Sequence, residues 1–200
     1  MSGEDYIIGI DEAGRGSLAG PVFVGIIKAP ANFDFGQFQH LDDSKKMTET
    51  RRVVIFEQLK ELTNTVRNIQ HTAVYAGAKT IDTVGINSAI QQAINRGLRR
   101  LMPDPKAALV YLDGGLRAPK RFSKQKTVIG GDGEVSAISL ASVLAKVARD
   151  NYMKAVSEQY LDFNFTQHKG YGTPAHREAL TLHGATDIHR QSFLSKILEK

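Results

Sequence analysis

Gly9-Ile10-Asp11-Glu12-Ala13-Gly14-Arg15-Gly16-Ser17-Leu18-Ala19-Gly20-Pro21-Val22 is the stretch on which the reading of the fold turns. Tyr6–Ile10, just before the two acids, is short, apolar and β-branched, which predicts a buried strand. A second strand is predicted over Val22–Lys28, begun by Gly20-Pro21 and stopped by Pro30. Between them Gly14-Arg15-Gly16-Ser17-Leu18-Ala19 fits the G-x-G-x-x-A pattern of dinucleotide-binding loops. That pattern must open a helix, whereas here it is followed by Gly-Pro and a β-branched run. The loop is therefore a strand-to-strand turn, and the dinucleotide reading is excluded. Adjacent acids at the end of a buried strand cost stability unless something neutralises them, so Asp11-Glu12 carries chemical information.

Outward from this turn, Asn32–Asp43 has aromatics without a period and is read as a loop. Thr48 can cap a helix with Glu49 in its first turn and Ile55, Leu59 and Leu62 on one face. Thr65–Tyr75 is β-rich. Ile86, Ile90, Ile94, Leu98 and Leu101 predict a second helix, closed by Pro103. Ala107–Leu112 and Thr127–Ile129 predict two further strands. Leu140, Val143, Leu144, Val147 and Ala148 then form the apolar stripe of the clearest helix. Its other side carries Ser139, Ser142, Lys146 and Arg149 at helical spacing. A loop around Gly170-Tyr171-Gly172 precedes helices near Pro174–His183 and Ser192–Glu199. The expectation is one α/β domain over residues 1–200, with about 166–200 a helical C-terminal extension.

Three times an apolar strand runs into an acid flanked by glycine: at Asp11-Glu12, at Asp113-Gly114-Gly115 and at Gly131-Asp132-Gly133. Strand ends are where an open α/β sheet gathers groups from distant parts of the chain. Carboxylates brought together there repel one another unless a cation lies between them. Asp-Gly after a strand is also an everyday turn signal, so Asp113 and Asp132 taken singly read better as turn residues than as ligands. Oxygen donors without cysteine suit Mg²⁺ or Mn²⁺ rather than zinc.

Composition bounds the answer. The 200 residues contain no cysteine, which excludes disulfides and thiolate metal sites. The longest apolar runs fall far short of a membrane span, and the polar Met1–Asp5 segment carries no signal-peptide core. A cytoplasmic protein without membrane attachment is expected. A net charge of +5 and a pI of about 9.4 favour a polyanionic partner.

The sequence from Gly9 to Val22 resembles the ribonuclease HII family (type 2 RNase H). The resemblance continues in order through Asp43-Ser44-Lys45-Lys46, Asp113-Gly114, Gly131-Asp132 and Ser139–Asp150 to His168–Thr173 and Ile188–Phe193. It implies an RNase H-like α/β fold with a mixed central sheet flanked by helices. It further implies an endonuclease that cleaves the RNA strand of RNA–DNA hybrids. Such an enzyme also cuts 5′ of single ribonucleotides in duplex DNA, leaving 3′-hydroxyl and 5′-phosphate ends, in the service of ribonucleotide removal. Two Mg²⁺ or Mn²⁺ ions would be held by Asp11, Glu12, Asp113 and Asp132. Asp150 competes for the fourth place, its alternative being an i,i+4 partner of Lys146. The backbone of Gly14, Arg15 and Gly16, with Tyr171, would read the 2′-hydroxyl, the group that distinguishes RNA from DNA. Lys45 and Lys146, with Lys46 and Arg149, would contact phosphates, which positions a duplex without reading its sequence. A monomer is expected. The late histidines His168, His176, His183 and His189 fit no simple ligand spacing and are assigned surface or structural places.

Three rivals were weighed. A ribonuclease HIII would carry an additional N-terminal domain, for which the ten residues before Asp11 leave no room. A silent hybrid-binding module has no need of four carboxylates. A resolvase or integrase core has no need of the Gly-Arg-Gly turn and Tyr171.

Overall fold

A computed structural model of the chain describes residues 5–38, 41, 47–66, 68–131, 133 and 135–198, with side chains through 195. Lys45, Lys46 and Asp132 lie outside the described residues. Five strands form one sheet in the order β3-β2-β1-β4-β5. These are β1 (Tyr6–Ala13), β2 (Val22–Pro30), β3 (Gln70–Ala76), β4 (Ala108–Asp113) and β5 (Gln125–Val128). β1 runs antiparallel to β2, and β2 to β3, whereas β1, β4 and β5 are parallel. The expected mixed sheet flanked by helices is what forms.

Alternation along the strands assigns each side chain to a layer. Ile8, Ile10, Val22, Val24, Ile26, Val110 and Leu112 pack on α3 (Ile86–Leu101), through Ala89, Ile90, Ala93, Ile94 and Leu98. The opposite face receives α4 (Ser136–Ser157), which is itself covered by α1 (Glu49–Thr65) through Ile55 and Leu59. Contact between α4 and the sheet is close enough to require glycine. A Cβ on Gly9 would lie 2.0 Å from the Ala137 carbonyl oxygen, and one on Gly25 2.1 Å from that of Ala141. The C-terminal elements α5 (Phe165–His168), α6 (Pro174–His183) and α7 (Gln191–Leu198) pack through Phe165, Leu180 and Leu194, together with Phe163 of the preceding turn, onto Leu18, Ala19 and Met153.

Thr48 caps α1 as expected, its hydroxyl accepting from the Arg51 N–H at 3.2 Å. The β-rich reading of Thr65–Tyr75 needs correction at its start. α1 continues to Thr65, whose hydroxyl bonds back to the Glu61 carbonyl, and β3 begins only at Gln70. The physical reason is pairing: the register with β2 opens at Lys28↔Gln70, so Val66, Asn68 and Ile69 have no register partner on β2. The short helix α2 (Ala78–Val84) was not expected; its Ile81 is held by the α3 core rather than by a marked period of its own. The hydrophilic side of α4 is also not a solvated face, since Ser139, Ser142 and Arg149 are each 1% exposed.

Candidate active site

β1 and β4 run in parallel with their last registered pair at Ile10↔Leu112. The next residue on each strand is an aspartate, so Asp11 and Asp113 emerge side by side at one end of the sheet, on its α4 face. Asp11 is buried, at 5% exposure, and accepts the Glu12 N–H at 2.7 Å. Burial pushes its carboxyl up to about 7; a hydrogen bond from Ser142 opposes the rise, while the charges of Glu12 and Asp113 add to it. Asp113 Oδ1 accepts the Gly131 N–H at 2.9 Å, tying the Gly130-Gly131 turn to the same spot. Asp132, the following residue, is not described. Glu12 points to the other side of the strand, where Arg15 donates to it at 2.7 Å. The partner found for Asp150 is Arg52 of α1, 3.7 Å away. Its carboxyl is raised by burial and lowered by Arg52, Lys169 and Arg149, with none of the strand-end acids among its neighbours.

Among the described residues no three His, Asp or Glu side chains close into a metal cluster. Asp11 and Asp113 supply hard oxygen donors, and the upward shift of Asp11, caused first by burial and then by the Glu12 and Asp113 charges, marks a buried carboxyl that a divalent cation would hold in its charged form. The donor chemistry therefore fits Mg²⁺ or Mn²⁺.

Two buried arginines shape the Gly14–Pro21 loop. Arg190, 0% exposed, donates from Nη2 to the Gly14 carbonyl (2.7 Å), from Nη1 to that of Arg15 (2.8 Å) and from Nε to that of Gly20 (2.9 Å). Arg149 donates to the carbonyls of Pro21 (3.1 Å) and Lys169 (2.8 Å) and to the Ser17 hydroxyl (2.8 Å). Burial, followed by repulsion from Arg149, pushes the Arg190 guanidinium down to about 9, still charged at neutral pH. In a planar trans peptide the C=O and the following N–H point oppositely. Because the Gly14 and Arg15 carbonyls face Arg190, the N–H groups of Arg15 and Gly16 face away from it, and among the described residues neither has an acceptor. Tyr171, 44% exposed, sits with its ring 5.0 Å from the Arg149 guanidinium, and Leu18 donates its N–H to the Gly170 carbonyl at 2.9 Å. The structure thus brings together Gly14, Arg15, Gly16 and Tyr171, more than 150 residues apart in the chain. Lys146 is half-buried on α4. Arg149, expected at a phosphate, is instead internal: its donors are spent on carbonyls and a hydroxyl.

Of the late histidines, His168, His176 and His189 are buried and structural, whereas His183 is exposed. His189 Nδ1 accepts the Thr186 N–H (2.9 Å), so the ring's proton is on Nε2 and is directed at His176 Nε2, 3.0 Å away. His176 must then carry its proton on Nδ1, which donates to the Tyr171 carbonyl at 2.9 Å. A chain of neutral rings therefore ends on the residue expected to face the sugar. Sequence reasoning missed Arg190 and Ser142 as supports. A buried arginine without a carboxylate nearby leaves no local pattern, and the serine is one of several polar residues on its helix.

A mixed sheet with paired carboxylates at parallel strand ends, followed by a loop whose Arg15 and Gly16 N–H groups find no acceptor among the described residues, defines an α/β enzyme of the RNase H-like type. The family model described as Ribonuclease HII matches residues 8–196. A ribonuclease HII of Nitrosomonas europaea is 43% identical over 188 residues, covering 94% of this chain and 82% of that protein. One from Caldicellulosiruptor bescii is 37% identical over 196 residues, covering 98% and 90%. The chain belongs to the ribonuclease HII family and is a ribonuclease H enzyme. Solved structures with the same fold include ribonuclease H2 from Pyrococcus horikoshii (TM-score 0.74, 23% identity, 97% of each chain). Another is Bst-RNase HIII in complex with Mn²⁺ (TM-score 0.65, 13% identity, 100% of this chain and 71% of that one).

Proposed function

We propose that this enzyme cleaves the RNA strand of RNA–DNA hybrids and cuts on the 5′ side of single ribonucleotides embedded in duplex DNA. The products are 3′-hydroxyl and 5′-phosphate ends, and the role is removal of ribonucleotides from DNA. The observation that carries the reading is that the Arg15 and Gly16 backbone N–H groups, which find no acceptor among the described residues, follow directly on the Asp11-Glu12 end of β1. Asp11, Glu12, Asp113 and Asp132 are the residues that would hold two Mg²⁺ or Mn²⁺ ions. Such ions, when bound, supply activation of a water nucleophile and neutralisation of the leaving oxygen. The chain's own residues do the selecting. A 2′-hydroxyl can accept from the two N–H groups, and only a backbone bare of a Cβ at Gly16 lets a sugar come so close. The half-exposed Tyr171 ring lies against the adjoining deoxyribose. Lys45 and Lys146 contact phosphates, in keeping with the net charge of +5. The chain works as a single monomeric catalytic domain in the cytoplasm.

The test is cleavage of labelled duplexes containing no ribonucleotide, one ribonucleotide or a long RNA tract, with Mg²⁺ or Mn²⁺. A single cut 5′ of the lone ribonucleotide, abolished by Asp11→Asn and Asp132→Asn in folded protein, is the expected result. Tyr171→Ala should retain duplex binding and lose cutting at the lone ribonucleotide. Cleavage restricted to the RNA tract would overturn the single-ribonucleotide reading, and retained activity in Asp132→Asn would move the fourth ligand to Asp150.

A further inference from the structure

Glu12 stands apart from the other strand-end acids. Asp11 and Asp113 lie toward α4, whereas Glu12 opens toward α3, into a cavity of about 520 Å³ lined also by Arg15, Asn87, Gln91, Gly114 and Arg117. A carboxylate at the edge of such an open space has several rotamers available to it. Here it is held by the Arg15 guanidinium, whose Nε donates to Oε1 at 2.7 Å; the Glu12 side chain is 14% exposed and that of Arg15 41%. An i,i+3 ion pair with so exposed an arginine is a weak restraint by itself, because the long side chain is free to swing into solvent. It has a second anchor, however. Arg15 Nη1 donates to Asn87 Oδ1, also at 2.7 Å, across 72 positions of sequence.

We propose that Asn87 is a positioning residue for Glu12: its amide oxygen pins the Arg15 guanidinium so that Arg15 in turn fixes the Glu12 carboxylate. The assignment rests on the reading of Glu12 as a working carboxylate of the site. Asn87 lies in the first turn of α3, and two and three residues on Ala89 and Ile90 are buried in the sheet-facing core at 0% and 2% exposure. The anchor is therefore on a rigid element, while the group it anchors is in a loop. Two nitrogens of one planar guanidinium bound to acceptors on different elements leave it no rotation about its last bonds. The arrangement also explains how Arg15 contributes to the site. Its side chain is occupied by Glu12 and Asn87, which leaves its backbone N–H as the group presented outward.

The experiment compares the wild type with Asn87→Ala and Asn87→Asp, the latter keeping an acceptor oxygen. Asn87 is exposed, so both variants should fold. In ¹⁵N-detected spectra of arginine side chains, the Arg15 Nε–H should be protected from exchange in the wild type and Asn87→Asp and exchange freely in Asn87→Ala. With a single-ribonucleotide duplex, Asn87→Ala should lower kcat about tenfold with KM unchanged, as expected of a misplaced group rather than a lost substrate contact. Asn87→Asp should stay within about threefold of wild type, and in an Arg15→Ala background Asn87→Ala should cost nothing further. Unchanged kcat in Asn87→Ala, or a raised KM with kcat intact, would overturn the positioning role. The exchange measurement stands apart from turnover: an unprotected Arg15 Nε–H in the wild type would overturn the clamp, whereas a wild type without ribonuclease activity would refute the proposed function.

Discussion

Replacing Gly14 with alanine, beside the same change at Gly16, separates the supporting half of the Gly-Arg-Gly turn from the half that meets substrate. Gly14 has φ +88°, a conformation that disfavours any Cβ, and its added methyl would lie 2.0 Å from Arg149 Nε and 2.5 Å from Cδ. Arg149 cannot retreat, being 1% exposed and bonded to Pro21, Ser17 and Lys169. The left-handed backbone costs about 1–2 kcal/mol. Displacing a charged donor from buried acceptors adds about 1.5–3 kcal/mol for each bond lost. With one or two bonds broken the sum is about 2.5–8 kcal/mol, against a total stability of roughly 5–15 kcal/mol. For a chain of this size that is a fall in Tm on the order of 5–30 °C. At Gly16 a Cβ meets nothing within 4 Å. Gly16→Ala should therefore unfold within about 0.5 kcal/mol of wild type yet lose cleavage at a lone ribonucleotide. Circular-dichroism melts and urea titrations read the first quantity, and the duplex assay reads the second. A Gly14→Ala protein that melts with the wild type would refute the placement of Arg149 under the turn. A Gly16→Ala protein with full cleavage would refute the sugar approach.

Arg190→Met should cost about 4.5–9 kcal/mol in urea titrations, because the Gly14, Arg15 and Gly20 carbonyls each lose their charged donor; a loss below about 1 kcal/mol would show that water replaces the guanidinium freely. The histidine chain makes stability depend on pH. Burial and His176 depress His189 to about 4, and His168 and His176 are lowered also, each first by burial. Between about 6.5 and 4 the unfolded chain therefore binds a proton on His189 that the folded chain does not. Its contribution is fully present above 6.5, is lost as pH falls through this window, and has no further effect below about 4. For His189 alone the difference is about 3 kcal/mol, and His189→Gln should flatten the slope; an unchanged slope in that variant would remove the histidine from the acid response.

Much of the architecture was legible because local rules and tertiary packing agreed. The Ile86–Leu101 helix has its sequence-read boundaries because its apolar spacing matches the sheet face it covers. The Asp11 and Asp113 strand ends were readable because glycine and an acid after an apolar run form a local signal. What the sequence by itself determined is the core of most strands and helices, short of the Thr65–Gln70 boundary and α2, and where Asp11, Glu12 and Asp113 leave the sheet. Only the tertiary structure decided what those residues face. The serines and Arg149 of α4 have the spacing of a solvated stripe, and nothing in a helical period states that the space beyond them is filled by β1 and the Gly14–Pro21 loop. Alternation along β1 likewise separates Asp11 from Glu12 without saying that one meets Ser142 and the other Arg15. The carbonyls that accept from Arg149 and Arg190 lie up to 176 positions away in the chain. A backbone acceptor is the same chemical group at every residue, so such contacts write no pattern into the sequence and exist only once the chain has closed.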